Sequence, residues 1–170
     1  RSNGIDFRNV KVKTAENDTN KALNLIGVAE IHGWHGFDRV VKGLAVYYAQ
    51  KPAYIVRFHV VGYFYSAEGE KEFKKMVSDL QMDEYVILHG KKHGEELDRI
   101  FDSCDFGIGS LGRHRVGIQS IKTLKNREYA ARGIPFVYSE TDQDFDCKPF
   151  VMKAPADESA IDINELVQFY

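Results

Sequence analysis

Only two cysteines occur in 170 residues, Cys104 and Cys147. No group of cysteine, histidine or carboxylate side chains shows the spacing of a metal site, and the six histidines are scattered. A buried, reduced thiol is expected at each cysteine, which suits a cytosolic setting. No apolar run approaches the roughly 20 residues that a membrane span needs, and no signal peptide opens the chain. Charge of one sign does not predominate: 23 Lys and Arg stand against 25 Asp and Glu, a formal net charge of −2. That balance excludes a general nucleic-acid or membrane-surface binder, so any basic patch has to be local. Internal repeats and low-complexity tracts are missing too.

What is there fits one compact domain over residues 1–170, with 44% hydrophobic and 28% charged residues. The chain starts without Met and stops on VQFY inside an expected helix at 162–170, which reads as a piece of something longer. From residue 24 onward, β-rich runs alternate with helical spacing. NLIGVAEI (24–31) is an expected strand, and Phe37, Val40, Val41, Leu44 and Tyr48 mark a helix face after it. YIVRFHVVG (54–62) precedes a face of Phe73, Met76, Val77 and Leu80. YVILHG (85–90) precedes Leu97, Ile100, Phe101 and Cys104. DFGIGS (105–110) and PFVYSE (135–140) flank a helix expected over 120–132, and FVMKAP (150–155) is a last strand. The polar first 23 residues hold one further expected strand, RNVKVKT (8–14). Such alternation predicts an α/β fold, a Rossmann-like parallel sheet flanked by helices.

That architecture locates a site before any motif does, because ligands of open parallel sheets bind at loops leaving the carboxyl ends of strands. The loops are HGWHG (32–36), GYFYSAEG (62–69), GKKHG (90–94), SLGRHRVG (110–117) and SETDQD (139–144). Glycine and basic or imidazole residues recur in them, which predicts an anion as ligand. Arg113-His114-Arg115 precedes a helix N-terminus, where free N–H groups and the dipole favour phosphate; the alternative is a solvated basic loop. His35 lies between two glycines that let backbone approach a ligand, and a structural role for it is equally open. Asp38 suits the helix N-terminus, and Arg39 is expected at the surface.

Glu128 falls four residues after Leu124 on an expected apolar stripe of Ile121, Leu124 and Ala131. An inward carboxylate needs a partner. From spacing alone it has either a structural one, such as Lys125 or Arg132, or the hydroxyls of a ligand such as a ribose. Gly133 and Pro135 end that helix. GIGSLG (107–112) fits G-x-G-x-x-G, but it lies beyond the first βα unit, no helix opens within it, and Glu140 comes too late to hold a ribose. A nicotinamide dinucleotide is therefore not expected.

Taken in order, NGID (3–6), FHVVG (58–62), VILHGKKHGEELDRIFDSCDFGIGSL (86–111) and REYAARGIPFV (127–137) span nearly the whole chain. This set resembles the C-terminal, nucleotide-sugar-binding half of GT-B-fold retaining glycosyltransferases, the family-4-like group with bacterial capsule and exopolysaccharide enzymes. The resemblance implies a UDP- or GDP-type sugar donor, no resident cofactor or metal, and a sugar or lipid-linked acceptor held by an N-terminal domain outside this chain. It implies a cytoplasmic location, with peripheral attachment of the full-length protein to the inner membrane left open. Glu128 takes the place of the glutamate that binds the donor ribose. The implied donor set is Gly33, His35, Gly36, Gly90, Lys92, Gly112, Arg113, His114, Ser120, Lys125 and Glu128.

Two departures accompany this resemblance. Ser120 stands where many relatives carry a glutamate for the transferred sugar. A basic residue is missing at Val28-Ala29-Glu30, and His35 replaces a lysine, so His35, Arg113 and Lys125 are expected to grip the diphosphate. A noncatalytic interaction module, and a GT-B-fold epimerase or phosphorylase, are the competing readings.

Overall fold

The computed structural model describes residues 6, 8, 10–13 and 22–170. Asn3, Gly4 and Ile5 of the NGID segment, and parts of the expected strand at 8–14, lie outside the described residues; within 10–13 no strand forms. Six parallel strands make one sheet: β1 (Ala22–Ile31), β2 (Ile55–Phe64), β3 (Val86–Gly90), β4 (Phe106–Ile108), β5 (Phe136–Tyr138) and β6 (Val151–Lys153). Their spatial order is β3-β2-β1-β4-β5-β6. Helices α1 (Phe37–Ala49), α2 (Ala67–Asp79), α3 (Gly94–Asp102), α4 (Leu124–Arg132) and α5 (Ile163–Phe169) complete the chain. The fold is an α/β, Rossmann-like one.

β1 is central and covered on both faces, so Leu23, Leu25 and Ile26 are all fully buried rather than alternating. Leu23 and Leu25 join the α1, α2 and α5 side of the core through Val40, Leu44, Phe73, Val77 and Leu166. Ile26 joins the α3 and α4 side through Phe101 and Tyr129. Each fully buried side chain of this size contributes about 1.5–3 kcal/mol. Helix ends follow local chemistry. Ser66 Oγ accepts from Gly69 N at 3.1 Å to start α2, and Asp162 accepts from Glu165 N at 3.2 Å to start α5. Gly133, at φ 74°, closes α4.

Four expectations are corrected here. The helix expected over 120–132 begins at Leu124, because Thr123 Oγ1 caps it by accepting from Asn126 N at 3.3 Å. Its packed face is Asn126, Arg127, Tyr129 and Arg132, not the stripe through Leu124, which is exposed. Tyr129, the one large aromatic on the helix, decides the rotation. Its ring packs beside Phe101 and Phe136, and its hydroxyl reaches Ile108 O at 3.0 Å. Cys147 is exposed while Cys104 is buried, its thiol pushed up to about 12 by that burial. Arg39, expected at the surface, is fully buried.

Candidate functional site

The strand order reverses between β1 and β4. α1, which follows β1, covers one face of the sheet, and α4, beyond β4, covers the other. Loops that diverge this way leave a crevice at the carboxyl ends. The loops on its two sides are tied together by Leu111 N donating to His35 O at 3.0 Å and Gly112 N to Trp34 O at 3.2 Å. Gly36 makes this junction feasible. It sits at φ 68°, and a Cβ there would lie 2.7 Å from the Leu111 carbonyl carbon. Gly36→Ala is expected to lower stability by more than about 1 kcal/mol, read as a lower melting temperature.

The GIGSLG glycines have a different use from the dinucleotide fingerprint. A Cβ at Gly107 would lie 2.6 Å from the Tyr129 ring, so that glycine admits Tyr129 against the sheet. The Tyr129 hydroxyl also lies 3.3 Å from Ile26 O, spanning β1 and β4.

Among the described residues, seven buried side-chain atoms have no hydrogen-bonding partner in the protein. They are Ser110 Oγ, Arg113 Nε, His114 Nδ1, Lys125 Nζ, Asn126 Oδ1 and both carboxylate oxygens of Glu140. Native proteins pair nearly all such atoms. Here all seven belong to the stretch from the end of β4 to the end of β5, the α4 side of the crevice. Atoms placed this way can meet polar groups from outside the chain.

Charge divides the basic loop. Arg115 is committed within the protein: it grips Asp38 at 2.8 and 2.9 Å, Glu158 at 2.8 and 2.6 Å, and Gly33 O at 2.7 Å. His114 Nε2 pairs with Glu158 at 2.7 Å. Arg113 has no carboxylate hydrogen bond among the described residues. Its guanidinium lies 5.5 Å from the Trp34 ring, and burial lowers its pKa. Lys125 is half-buried as a residue, but its Nζ is closed off from solvent and sits 5.5 Å from the Phe37 ring. Burial brings its pKa down to about 7, with Glu140 opposing the fall and Arg113 adding to it.

His35 is neutral. Its pKa falls to about 2 through burial and the nearby positive charges of Lys125 and Arg113. Nδ1 accepts from His32 N at 3.0 Å, which leaves the proton on Nε2 as a donor. His35 can therefore offer a hydrogen bond to an anion but no charge. His32 stacks on Trp34 at 4.0 Å and on Tyr65 at 4.4 Å, an aromatic ladder that the sequence pattern gave no reason to expect.

The remaining candidates lie apart from this cluster. Gly90 ends β3, the edge strand, two strands from β4's neighbour β1 in the sheet order. Lys92 pairs with Glu96 at 3.1 Å. Ser120 is exposed and bridges Thr141 in parallel. Glu128 accepts two hydrogen bonds from Arg132 on its Oε1, at 2.9 and 3.2 Å, and Arg132 also binds Asp98 of α3 at 2.8 Å. The structural partner that spacing left open is thus Arg132. A cleft of about 380 Å³ lies between α1 and α2, lined by Phe37, Phe64, Tyr65, Phe73 and Met76, and it borders the 32–36 loop through His32 and Gly33, one of the expected donor residues. It is largely apolar and does not include the unpartnered atoms.

Glu140 was set aside at the sequence level as too late for a ribose, and Arg39 as a surface residue; both belong to this end of the sheet. Arg39 donates to the carbonyls of Leu111 and Ser159 and so pins the loop after β4. A lone arginine on the helical repeat beside Val40 was the available signal for its burial.

Solved structures with this fold exist. The C-terminal domain of LpcC, a group 1 glycosyl transferase family protein from Francisella tularensis, matches with a TM-score of 0.66 and 14% identity over 97% of this chain and 86% of that one. The fold is that of a GT-B C-terminal half. Anabaena HepE, solved with UDP, matches at TM-score 0.70 and 18% identity, over 98% of this chain and 46% of HepE. Sucrose-phosphate synthase from Thermosynechococcus elongatus matches at TM-score 0.71 and 15% identity, over 97% of this chain and 42% of the synthase. The chain thus spans less than half of either full-length neighbour. No protein-family model matches it, and no curated protein does. Among the described residues no helix is long and apolar enough to cross a membrane.

Proposed function

We propose that this chain is the donor-binding domain of a retaining glycosyltransferase, family-4-like, that transfers a sugar from a nucleoside diphosphate in polysaccharide or glycoconjugate synthesis. The observation that carries this reading is the pair Arg113 and Lys125. Both present buried nitrogens without partners, at a strand-order switch point and beside the N-terminus of α4. A diphosphate supplies the oxygens those nitrogens lack, and the first turn of α4 adds free N–H groups and its dipole. His35 Nε2 adds a neutral donor. UDP in the crystal of the HepE neighbour supports the same ligand class here.

On this reading the leaving diphosphate's growing charge is met by side-chain cations and helix N–H groups, in place of a metal ion. Glu128 takes the ribose hydroxyls on Oε2, with Arg132 holding Oε1 and fixing the rotamer. Acceptor binding belongs to an N-terminal domain, so the isolated 170 residues bind donor and transfer nothing.

Saturation-transfer NMR with UDP, GDP, ADP and a hexose phosphate tests the ligand class. Binding of one nucleoside diphosphate and its sugar ester is expected; binding of none favours a noncatalytic module, and hexose phosphate alone favours a phosphorylase-type site. In calorimetry, Arg113→Ala is expected to weaken the bound nucleotide severalfold or more. Unchanged affinity removes Arg113 from the site.

A further inference from the structure

Glu140 lies just past β5, is 3% exposed, and no other residue donates a hydrogen bond to either carboxylate oxygen. An isolated buried carboxylate is costly, and the usual outcome is pairing or protonation. Its neighbours by charge are Lys125 and Arg113, whose buried nitrogens are equally unpartnered. The first turn of α4 meets the segment after β5 through Asn126 Nδ2, which donates to Asp142 at 3.4 Å, so three ionisable groups lie within electrostatic reach of one another without an ion pair closing among them. We propose that Glu140 is a positioning residue for the anion site, the buried counter-ion that holds Lys125 in its ammonium form until a diphosphate takes over that role.

The other charges around Lys125 do not do this. His35, after β1, is neutral, and Arg113, after β4, repels the ammonium. Lys153 on β6 is occupied by the Glu140 carbonyl and by Asp146 at 3.1 Å. On α4 itself, Arg127 pairs with Asp142 at 3.1 Å. On α1, Asp38 is taken by Arg115 and Lys42. Glu140 is the carboxylate whose charge opposes the fall in the Lys125 pKa. Burial raises the pKa of Glu140, while its own backbone N–H first, and then Lys125, Arg113 and Lys153, oppose the rise. A carboxylate repels a phosphate, so the effect of Glu140 passes through Lys125 and not through direct contact with ligand.

The part of this proposal that concerns ligand rests on the donor-site reading; the part that concerns the Lys125 proton does not. The test follows Lys125 Cε by NMR from pH 5.5 to 9 in the wild type and in Glu140→Gln, with UDP affinity measured over the same range. Wild-type Lys125 should titrate near 7, and Glu140→Gln should titrate about one unit or more lower. Glu140→Asp, which keeps the charge, should follow the wild type. At pH 5.5, Glu140→Gln should bind UDP at least as tightly as the wild type, having lost a negative charge near the phosphates. By pH 8.5 it should bind about tenfold more weakly. The ratio of the two affinities cancels the ligand's own protonation.

A ratio that does not change with pH, or a Lys125 midpoint unmoved by Glu140→Gln, overturns the proposal. If no nucleoside diphosphate binds the wild type, the donor reading fails and the Cε titration alone decides the role of Glu140. If Glu140→Gln does not fold, Lys125 Cε and the Glu140 carboxyl carbon of the wild type should show reciprocal, coupled steps; independent single steps overturn the proposal.

Discussion

Replacing Lys125 by methionine should raise the melting temperature while weakening nucleoside diphosphate binding at least about tenfold. The two effects have one cause. An ammonium closed off from water without a hydrogen-bonding partner costs folding free energy, and a methionine of similar length removes that cost and keeps the contact with Phe37. The pH dependence has a definite sign. Lys125 has a folded pKa near 7 against an ordinary 10.5. Between those values the unfolded chain binds the extra proton, so stability rises with pH across that window, and the penalty is fully present below it. The gain from Lys125→Met should therefore be largest at pH 7 and below, about 3 °C or more by calorimetric melting, and fade toward pH 10. A variant that binds UDP normally would remove Lys125 from the anion site, and one that melts lower at pH 6 would show that the Glu140 carboxylate stranded by the change outweighs the relieved ammonium. Retaining such a residue at the expense of stability is the trade expected of a binding group.

Arg39→Ala should be the most destabilising single change, about 3–5 kcal/mol, or roughly 8 °C or more in melting temperature. Its Nε donates to Ser159 O at 2.7 Å, and its NH groups reach Leu111 O, Asp157 at 3.3 Å and Ser159 Oγ at 3.4 Å. Removing it leaves a cavity and two carbonyls without their donors, and frees the segment before α5 from the loop after β4. Lysine cannot restore a fork of that reach, so Arg39→Lys should recover little. Urea unfolding with a shift below about 1 kcal/mol would contradict this account.

The sheet and its helices were legible because periodicity is a local signal. The strands at 24–31, 54–62, 85–90 and 105–110, and the helix faces following the first three, fall within the elements that form or within a residue or two of them. The α4 boundary was not legible. Ile121 and Leu124 suggested a stripe, but the Thr123 cap and the size of Tyr129 set both the start and the rotation. The loops at the carboxyl ends of the strands were legible, but the reversal between β1 and β4 that opens the crevice comes from the sheet order, which chain order alone does not give. The charge states within it could not be read from the sequence. Arg115 is neutralised by Glu158, 43 residues on, and nothing nearby in sequence announces that partner. Lys125 gave the opposite surprise: an i, i+3 neighbour, Glu128, looked available, yet Arg132 takes that carboxylate and the ammonium turns inward. Glu140 was weighed only against a dinucleotide template, because the cations near it in space, Lys125 and Arg113, lie 15 and 27 residues earlier in the chain.

The most direct measurement is a crystal soaked with the sugar nucleotide that NMR selects. The account predicts diphosphate density between the first turn of α4 and the loop of residues 32–36, within hydrogen-bonding distance of Arg113 and Lys125, with the pentose against Glu128. Density in the cleft between α1 and α2, with Arg113, Lys125 and Glu140 unchanged, would contradict it.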